Sequence, residues 1–316
     1  MNTLPDWTAN DALGEALHFL RMDGVFYSRC EFSAPWGLEL PPFPDCLMFH
    51  LVTSGSCWLD VEGADPVHLR SGDFVLVPHG AGHRLTGARD TPCVKLFDLP
   101  REPVSALYDR LRHGGGGAPA TMVCGAVRFD HPAAAQFISL LPRILHIEAA
   151  HSRYGNAMSD TLRLMSDEVG ALRPGGETIV TRLADILVIQ SIRAWMERDP
   201  AALTGWLGAL RDRQIGRAIM LIHRDPAQGW TLASLAAAVA MSRSAFAARF
   251  AAMVGMPAME YVTRWRMNTA LTHFRDQETT VADIAARLGY QSEAAFARTF
   301  KRVIGATPGS IRRRAG

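Results

Sequence analysis

One pattern is written twice near the carboxyl end, and it restricts that third of the chain to paired short helices. The first copy runs from Thr231 to Phe250 and the second from Thr280 to Phe300. Leu232, Leu235, Ala236 and Val239 align with Val281, Ile284, Ala285 and Leu288. After one extra residue, Gln291, the residues Ser242, Phe246, Phe250 and Gly255 align with Ser292, Phe296, Phe300 and Gly305. Each copy reads as an apolar-periodic helix, a tight turn and a second helix. Thr231 and Thr280 fall at the N-cap of the first helices, and Ser242 and Ser292 at that of the second. Gly289 suits the turn because glycine tolerates a positive φ. Ala240 at the equivalent place must stay right-handed or carry strain. The phenylalanines of each pair are four apart, hence on one face, and are expected to pack against the first helix. That leaves Arg243, Ser244, Ala247 and Ala248 pointing outward in one copy, and Glu293, Ala294, Arg298 and Lys301 in the other. A helix with that layout can enter a major groove.

A single copy would also suit an ordinary helical hairpin. Two copies in a basic segment favour nucleic acid. From Leu210 onward the chain has 16 Lys+Arg against 7 Asp+Glu; the part before it has 17 against 24, which recovers the totals of 33 and 31. A cationic module joined to an acidic one reads as nucleic-acid binding plus a second task.

The length of 316 residues allows two separate cores. No apolar run approaches the ~20 residues of a membrane helix. The opening Met-Asn-Thr-Leu-Pro-Asp-Trp has neither the basic start nor the apolar stretch of a signal peptide. A cytoplasmic protein without membrane attachment is expected. Five widely spaced cysteines do not form a disulfide framework, so free thiols are the default in a reducing compartment.

From the amino end, Ala12 to Met22 reads as a short helix and Val25 to Phe32 as a strand. The proline-rich Trp36 to Pro44 reads as an irregular, partly extended crossing. Cys46 to Thr53, Cys57 to Val61 and Phe74 to Val77 read as strands punctuated by Gly55, Gly63 and Gly72, a pattern of antiparallel barrels or sandwiches. Val104 to Arg112 is helix-like. Gly114 to Gly117 reads as a flexible surface connection near the mouth of a pocket, not a phosphate loop, since no Gly-Lys-Ser/Thr follows. Met122 to Phe129 reads as a strand. From Ala133 the pattern is helical, with Phe137, Leu140, Leu141, Ile144 and Leu145 on one face. Ser159 to Leu172 and Thr181 to Arg198 follow as helices. The second is apolar most of the way round, which fits burial on several sides or a homodimer interface.

Gly72-Asp-Phe-Val-Leu-Val-Pro78-His-Gly80-Ala-Gly-His83 is similar to the second cupin motif through His83, though the asparagine expected next is Gly87. The first cupin motif is degraded. In place of His-x-His and a glutamate the chain has Met48-Phe49-His50, with no glutamate until Glu62. His50 and His83 can face one cavity, either as hydrogen-bonded interior histidines or as ligands of an effector or of a divalent metal such as zinc. Cys46 is in phase with His50, but four strand residues put them about 13 Å apart, too far to share one ion without a bend.

The segment from about Gln214 to Arg314, and above all Gly289 to Pro308, resembles the DNA-binding domain of AraC-family transcription regulators. Ser33 to Pro41, Phe49 to Gly55, Gly72 to Leu85 and Val123 to Pro132 resemble the cupin-type sensor domain of a subset of that family, so the resemblance covers nearly the whole chain. It implies an α+β protein: a cupin-like β-barrel over residues 1–132, central dimerisation helices over 133–208, and an all-α domain over 209–316 whose two helix-turn-helix motifs are joined by one long helix. That helix would be Met259 to about Arg275, seventeen residues or roughly 25 Å, matching recognition helices about 34 Å apart on DNA. The resemblance implies double-stranded DNA and RNA polymerase as partners, a homodimer, an activator of transcription, and base or phosphate contacts from Arg243, Ser244, Ala247, Ala248 and Arg249 and from Glu293, Ala294, Ala295, Arg298 and Lys301. Alanine at position 248, where many relatives have arginine, implies weak base readout by the first motif and stronger readout by the second through Arg298. The group includes regulators thought to sense reactive chlorine through cysteines, which points to Cys124 with Cys30 as partner; the alternative is that both are small buried hydrophobes. The competing functions are a metal-dependent cupin enzyme fused to a DNA-binding module, disfavoured by the missing ligands, and a nucleoid protein with an inert sensor half.

Overall fold

A computed structural model describes residues 22–129, 138, 140–149, 155–171, 173–199, 205–274 and 279–315. Among the described residues twelve strands come first: β1 (Met22–Ser33), β2 (Gly37–Leu40), β3 (Cys46–Ser54), β4 (Ser56–Val61), β5 (Val67–Arg70), β6 (Phe74–Val77), β7 (His83–Thr86), β8 (Val94–Lys95), β9 (Arg101–Pro103), β10 (Tyr108–Gly114), β11 (Pro119–Phe129) and β12 (Leu145–Ile147). They make a seven-stranded sheet of order β12-β6-β3-β11-β1-β10-β9 and a five-stranded sheet of order β5-β4-β7-β2-β8. The expected barrel is therefore not closed. Each sheet ends in strands of two to four residues, and no ladder joins one sheet's edge to the other's.

β3 explains the layering. Its first seven residues, Cys46 to Val52, are all buried, so apolar alternation gives way to a continuous run, as in sheets covered on both faces. One face contributes Cys30, Phe32, Met48, Val52, Met122 and Ala126 to a core shared with Leu38, Leu59, Val61 and Leu85 of the five-stranded sheet. The opposite face carries Tyr27, Phe49 and Phe74, whose rings lie 6.1 and 5.7 Å apart in succession. The helices α1 (Gly155–Ala171) and α2 (Gly176–Arg198) belong to the same compact unit as the sheets. They cover this second face. Arg29 of β1 donates to the carbonyls of Val169 and Gly170 at 3.4 and 3.2 Å, and burial pushes the Tyr27 hydroxyl up to about 12, with Thr181 and Asp185 of α2 acting on it.

Four expectations for this unit change. The crossing expected over Trp36 to Pro44 contains a regular strand, β2, paired with β7 and β8. Val104 to Arg112 is not helical. Val104 and Leu107 are exposed in a turn, whereas Tyr108 and Leu111 are buried on opposite faces of β10, which pairs in parallel with β1. A spacing of three and four mimicked a helix there. Leu145 is in β12, paired with Leu76 of β6, and not on a helix with Leu141. The four-glycine loop is tied down: Gly115 and Gly117 donate to the carbonyls of Ser33 and Ala34 at 2.9 and 2.8 Å. A side chain on Gly114 would lie 1.9 Å from the Ser33 oxygen. The helix expected over 12–22 falls outside the described residues, except Met22, which opens β1.

The second compact unit begins at Arg198. The helices α1 and α2 group with the sheets. The later helices are α3 (Gly205–Arg211), α4 (Arg213–Arg224), α5 (Leu232–Ala238), α6 (Arg243–Val254), α7 (Ala258–His273), α8 (Val281–Arg287), α9 (Glu293–Ile304) and α10 (Pro308–Ala315). Thr231 and Thr280 cap α5 and α8 in full capping boxes with Ser234 and Asp283, which satisfies amides that a helix start otherwise leaves open. Ser242 and Ser292 cap α6 and α9, each accepting from an amide at 3.2 Å. α7 has sixteen residues. Its start meets α6 through Tyr261 on Phe250 at 5.6 Å, and Phe274 just past its end meets Phe300 of α9 at 5.4 Å. No single helix among the described residues is long and apolar enough to cross a membrane.

The two turns differ as their residues require. Gly289 has φ +77°, and Ala240 is forced to φ +55°. Left-handed backbone costs a residue with a Cβ about 1–2 kcal/mol. Ala240→Gly should therefore raise the stability of the helical unit, by about 0.5–1 kcal/mol after the entropy of the freer unfolded chain is subtracted. Gly289→Ala should lower it by more, because its Cβ would sit 2.3 Å from the Ala227 carbonyl oxygen. Thermal unfolding of the two variants tests this; a change of the same sign in both would contradict it.

Candidate functional site

The two recognition helices present the faces their sequences dictate. Phe246, Phe250, Phe296 and Phe300 are fully buried, which turns Arg243, Ser244 and Ala248 of α6 and Glu293, Ala294, Arg298 and Lys301 of α9 to solvent. Ala247 and Ala295 are half-buried at the margins. Arg249 is exposed but occupied. Its guanidinium binds the carboxylate of Asp212 and, at 3.4 Å, the side-chain oxygen of Gln214. Asp212 is at the same time the N-cap of α4, accepting from the amides of Gln214 and Ile215 at 3.0 and 2.9 Å. Burial works against its charge, but the Ile215 amide, Arg249 and the Gln214 amide together hold its carboxyl below the usual range. Asp212 was overlooked in the sequence, although an Asp just before an apolar-periodic run is a capping signal.

The second site lies between the sheets. His50 of β3 and Cys124 of β11 are paired directly across the ladder, and Nδ1 of His50 lies 3.0 Å from the Cys124 sulfur. On the other side of the ring, Nε2 of His50 lies 2.8 Å from Nε2 of His83, which comes from β7 of the opposite sheet. Nδ1 of His83 in turn lies 3.0 Å from the Ala81 carbonyl oxygen. All three side chains are at least 95% buried.

The last contact fixes the protons of all the others. A carbonyl only accepts, so His83 carries its proton on Nδ1 and offers a lone pair at Nε2. His50 must then donate from Nε2, which leaves its Nδ1 to accept from the Cys124 thiol. The chain reads Cys124 S–H to His50, His50 N–H to His83, His83 N–H to Ala81. Both rings are neutral. Burial lowers His83 to about 4, and burial together with His83 lowers His50 well below the ordinary 6.5. The neighbouring Cys30 thiol, with burial second, pushes Cys124 well above the ordinary thiol value. Cys124 is therefore a protonated thiol at rest.

His50 and His83 thus meet, as their phase allowed, and Cys124 joins them with Cys30 beside it. The sequence could not show that Cys124 and His50 are partners, because strand register is not written in either segment. Cys46 stands apart at the start of β3, its thiol pushed up by burial. Cys57, not singled out from sequence, lies close by, with its sulfur 3.9 Å from that of Met122.

The donor set does not converge on one metal ion. Cys124 sits on the Nδ1 side of His50, whereas His83 sits on the Nε2 side, so one ion could take only the two Nε2 atoms. Among the described residues no group of three or more His, Cys, Asp or Glu is arranged to hold a metal, against the four ligands usual for zinc. His83 also reaches the margin of an open cavity of about 770 Å³ on the five-stranded sheet, lined further by Glu39, Leu40, Glu62, Lys95 and Phe97.

The cupin family pattern matches residues 11–197, and the helix-turn-helix domain pattern matches residues 235–314. An AraC-like transcription regulator of Streptomyces lividans is 34% identical over 305 residues, covering 96% of this chain and 98% of its own. One from Streptomyces antibioticus is 35% identical over 309 residues, with coverage of 96% and 98%. The RCS-specific HTH-type transcriptional activator RclR of Escherichia coli K12 is 25% identical over 311 residues, covering 96% and 98%. The matching cupin and helix-turn-helix domains, together with relatives aligned over nearly the whole length, make this chain a DNA-binding transcription regulator of the AraC-like family with a cupin domain at its amino end.

Proposed function

We propose that the regulator's response is set at the Cys124–His50–His83 chain, which oxidation of Cys124 breaks. The observation that carries this is the 3.0 Å contact between a buried thiol and a neutral imidazole whose free nitrogen faces it. Removal of the thiol proton removes the donor on which the order of the chain depends. Cys30 is the second thiol. With hypochlorous acid as oxidant, the two thiols lose two electrons and two protons as the disulfide forms. Chlorine leaves as chloride, oxygen leaves as water, and one proton is released. Cys30 and Cys124 are diagonal neighbours, since Cys30 faces Met122 and Cys124 faces Ser28. Diagonal Cα atoms are about 7–8 Å apart, beyond the ~6.8 Å reach of a disulfide, so bond formation draws β1 along or toward β11. These are the two longest strands of the domain, and their displacement is the signal. At rest burial keeps the thiol quiet, so the response needs an opening that admits the oxidant.

On the DNA side, Arg298 reads a base edge and Lys301 a phosphate, with Glu293, Ala294 and Ala295 lining the groove. Arg243, Ser244, Ala247 and Ala248 position the first motif, and Arg249 braces α6 against α4. The protein acts in the cytoplasm as a homodimer on double-stranded DNA and recruits RNA polymerase; the activator sense follows the name of the E. coli relative.

Three measurements bear on this reading. Arg298→Ala should weaken binding to the protein's own upstream region by about 1–3 kcal/mol, whereas Arg249→Ala should chiefly lower the melting temperature; unaltered operator affinity of the first variant refutes its role. Hypochlorous acid should change the footprint of the wild type and leave that of Cys124→Ser unchanged; an equal change in both refutes the thiol reading. The third concerns pH. His83 falls from 6.5 to about 4 on folding, so below 6.5 the unfolded chain binds the extra proton. The associated stability is fully present above pH 6.5 and is lost as the pH falls toward 4. Urea midpoints at pH 7 and pH 5 should differ less in His83→Gln than in the wild type; an unchanged difference contradicts the assignment.

A further inference from the structure

A second cavity lies on the other side of the seven-stranded sheet, where the turn between β9 and β10 faces the turn between α1 and α2. Its volume is about 170 Å³, close to the ~150 Å³ cavity that holds one benzene ring. Val104, Val169 and Val180 give it apolar walls. Glu168, in the last turn of α1, is 8% exposed and lines the same space. Its Oε1 has no hydrogen-bond partner among the described residues. The oxygen lies against Gly176, where an added Cβ would be 2.9 Å from it. The Tyr108 hydroxyl, from another lining residue, also has no hydrogen-bond partner among the described residues.

An unsatisfied buried acceptor costs about 1–3 kcal/mol, and more when charged. Glu168 also stands at the carboxyl end of its helix, where a negative charge is disfavoured. The fold gains nothing visible from it. The charged residues around the cavity are Glu168, Glu177 and Arg173, a net charge of minus one, which suits a cation.

We propose that this cavity is a binding site for a small primary amine with an apolar body of about one ring. The ammonium donates to Glu168, with Tyr108 as a second polar neighbour, and the ring packs among Val104, Val169 and Val180. This site is separate from the thiol–imidazole chain and goes beyond the oxidant reading. Benzylamine is the probe, added to the full-length protein. It should raise the melting temperature with saturation, whereas benzyl alcohol and ammonium chloride at equal concentration should not. Glu168→Gln should raise the dissociation constant at least tenfold. Gly176→Ala, which places a methyl group against the carboxylate at the start of α2, should weaken binding even if Glu168→Gln folds poorly. Cys124→Ser should bind benzylamine as the wild type does. Absence of a saturable shift, an equal shift from benzyl alcohol, or full affinity in folded Glu168→Gln and Gly176→Ala overturns the proposal. Loss of amine binding in Cys124→Ser would also overturn it, because the amine would then act elsewhere.

Discussion

Polar groups placed between two sheets have no water to turn to, so they must satisfy one another. The seven-stranded sheet is covered on both faces, and this single condition organises the amino-terminal unit. It explains why β3 is buried along most of its length. It also explains why His50 is neutral, and why its two nitrogens are spent on Cys124 and His83. A buried polar chain of this kind is worthwhile only when complete, since a half-satisfied network costs more than an apolar core. Here the Ala81 carbonyl completes it.

The helical unit solves the complementary problem. Short helices have a large share of open amides at their starts, and α5 and α8 have only seven residues each. Side-chain caps at every helix start of the two motifs therefore matter more than propensity. The duplicated caps and phenylalanines make the motifs alike in framework. The differences lie in the turn residue and in the fate of one arginine. Arg249 is used inside the molecule, bound to Asp212, whereas Arg298 stands exposed on α9.

The helical third was legible because capping, 3.6-residue periodicity and turn glycines are local signals, and the repeat supplied each of them twice. The amino-terminal half was legible where glycine and proline set strand ends, as at Gly72 and Pro78. It misled where a strand follows an exposed turn: Val104, Leu107, Tyr108 and Leu111 have helical spacing but fall on a turn and on both sides of β10. Pairing across strands was the least legible feature. His50 and Cys124 are 74 positions apart, and one residue of slippage would have turned either away from the other. Glu168 carries no local sequence signal, because nothing nearby in the chain marks an acceptor left without a partner.

The contact with Ala81 has a consequence for the direction of events between the sheets. A peptide carbonyl can only accept a hydrogen bond. The three hydrogen bonds therefore all point the same way, from the sulfur of β11 through β3 to the loop before β7. Reversing one would leave two donors or two acceptors face to face, so they reverse together or not at all. Substitution at any one of the three side chains is therefore felt by the other two, because each donor's direction is set by the next acceptor and the last is fixed by Ala81.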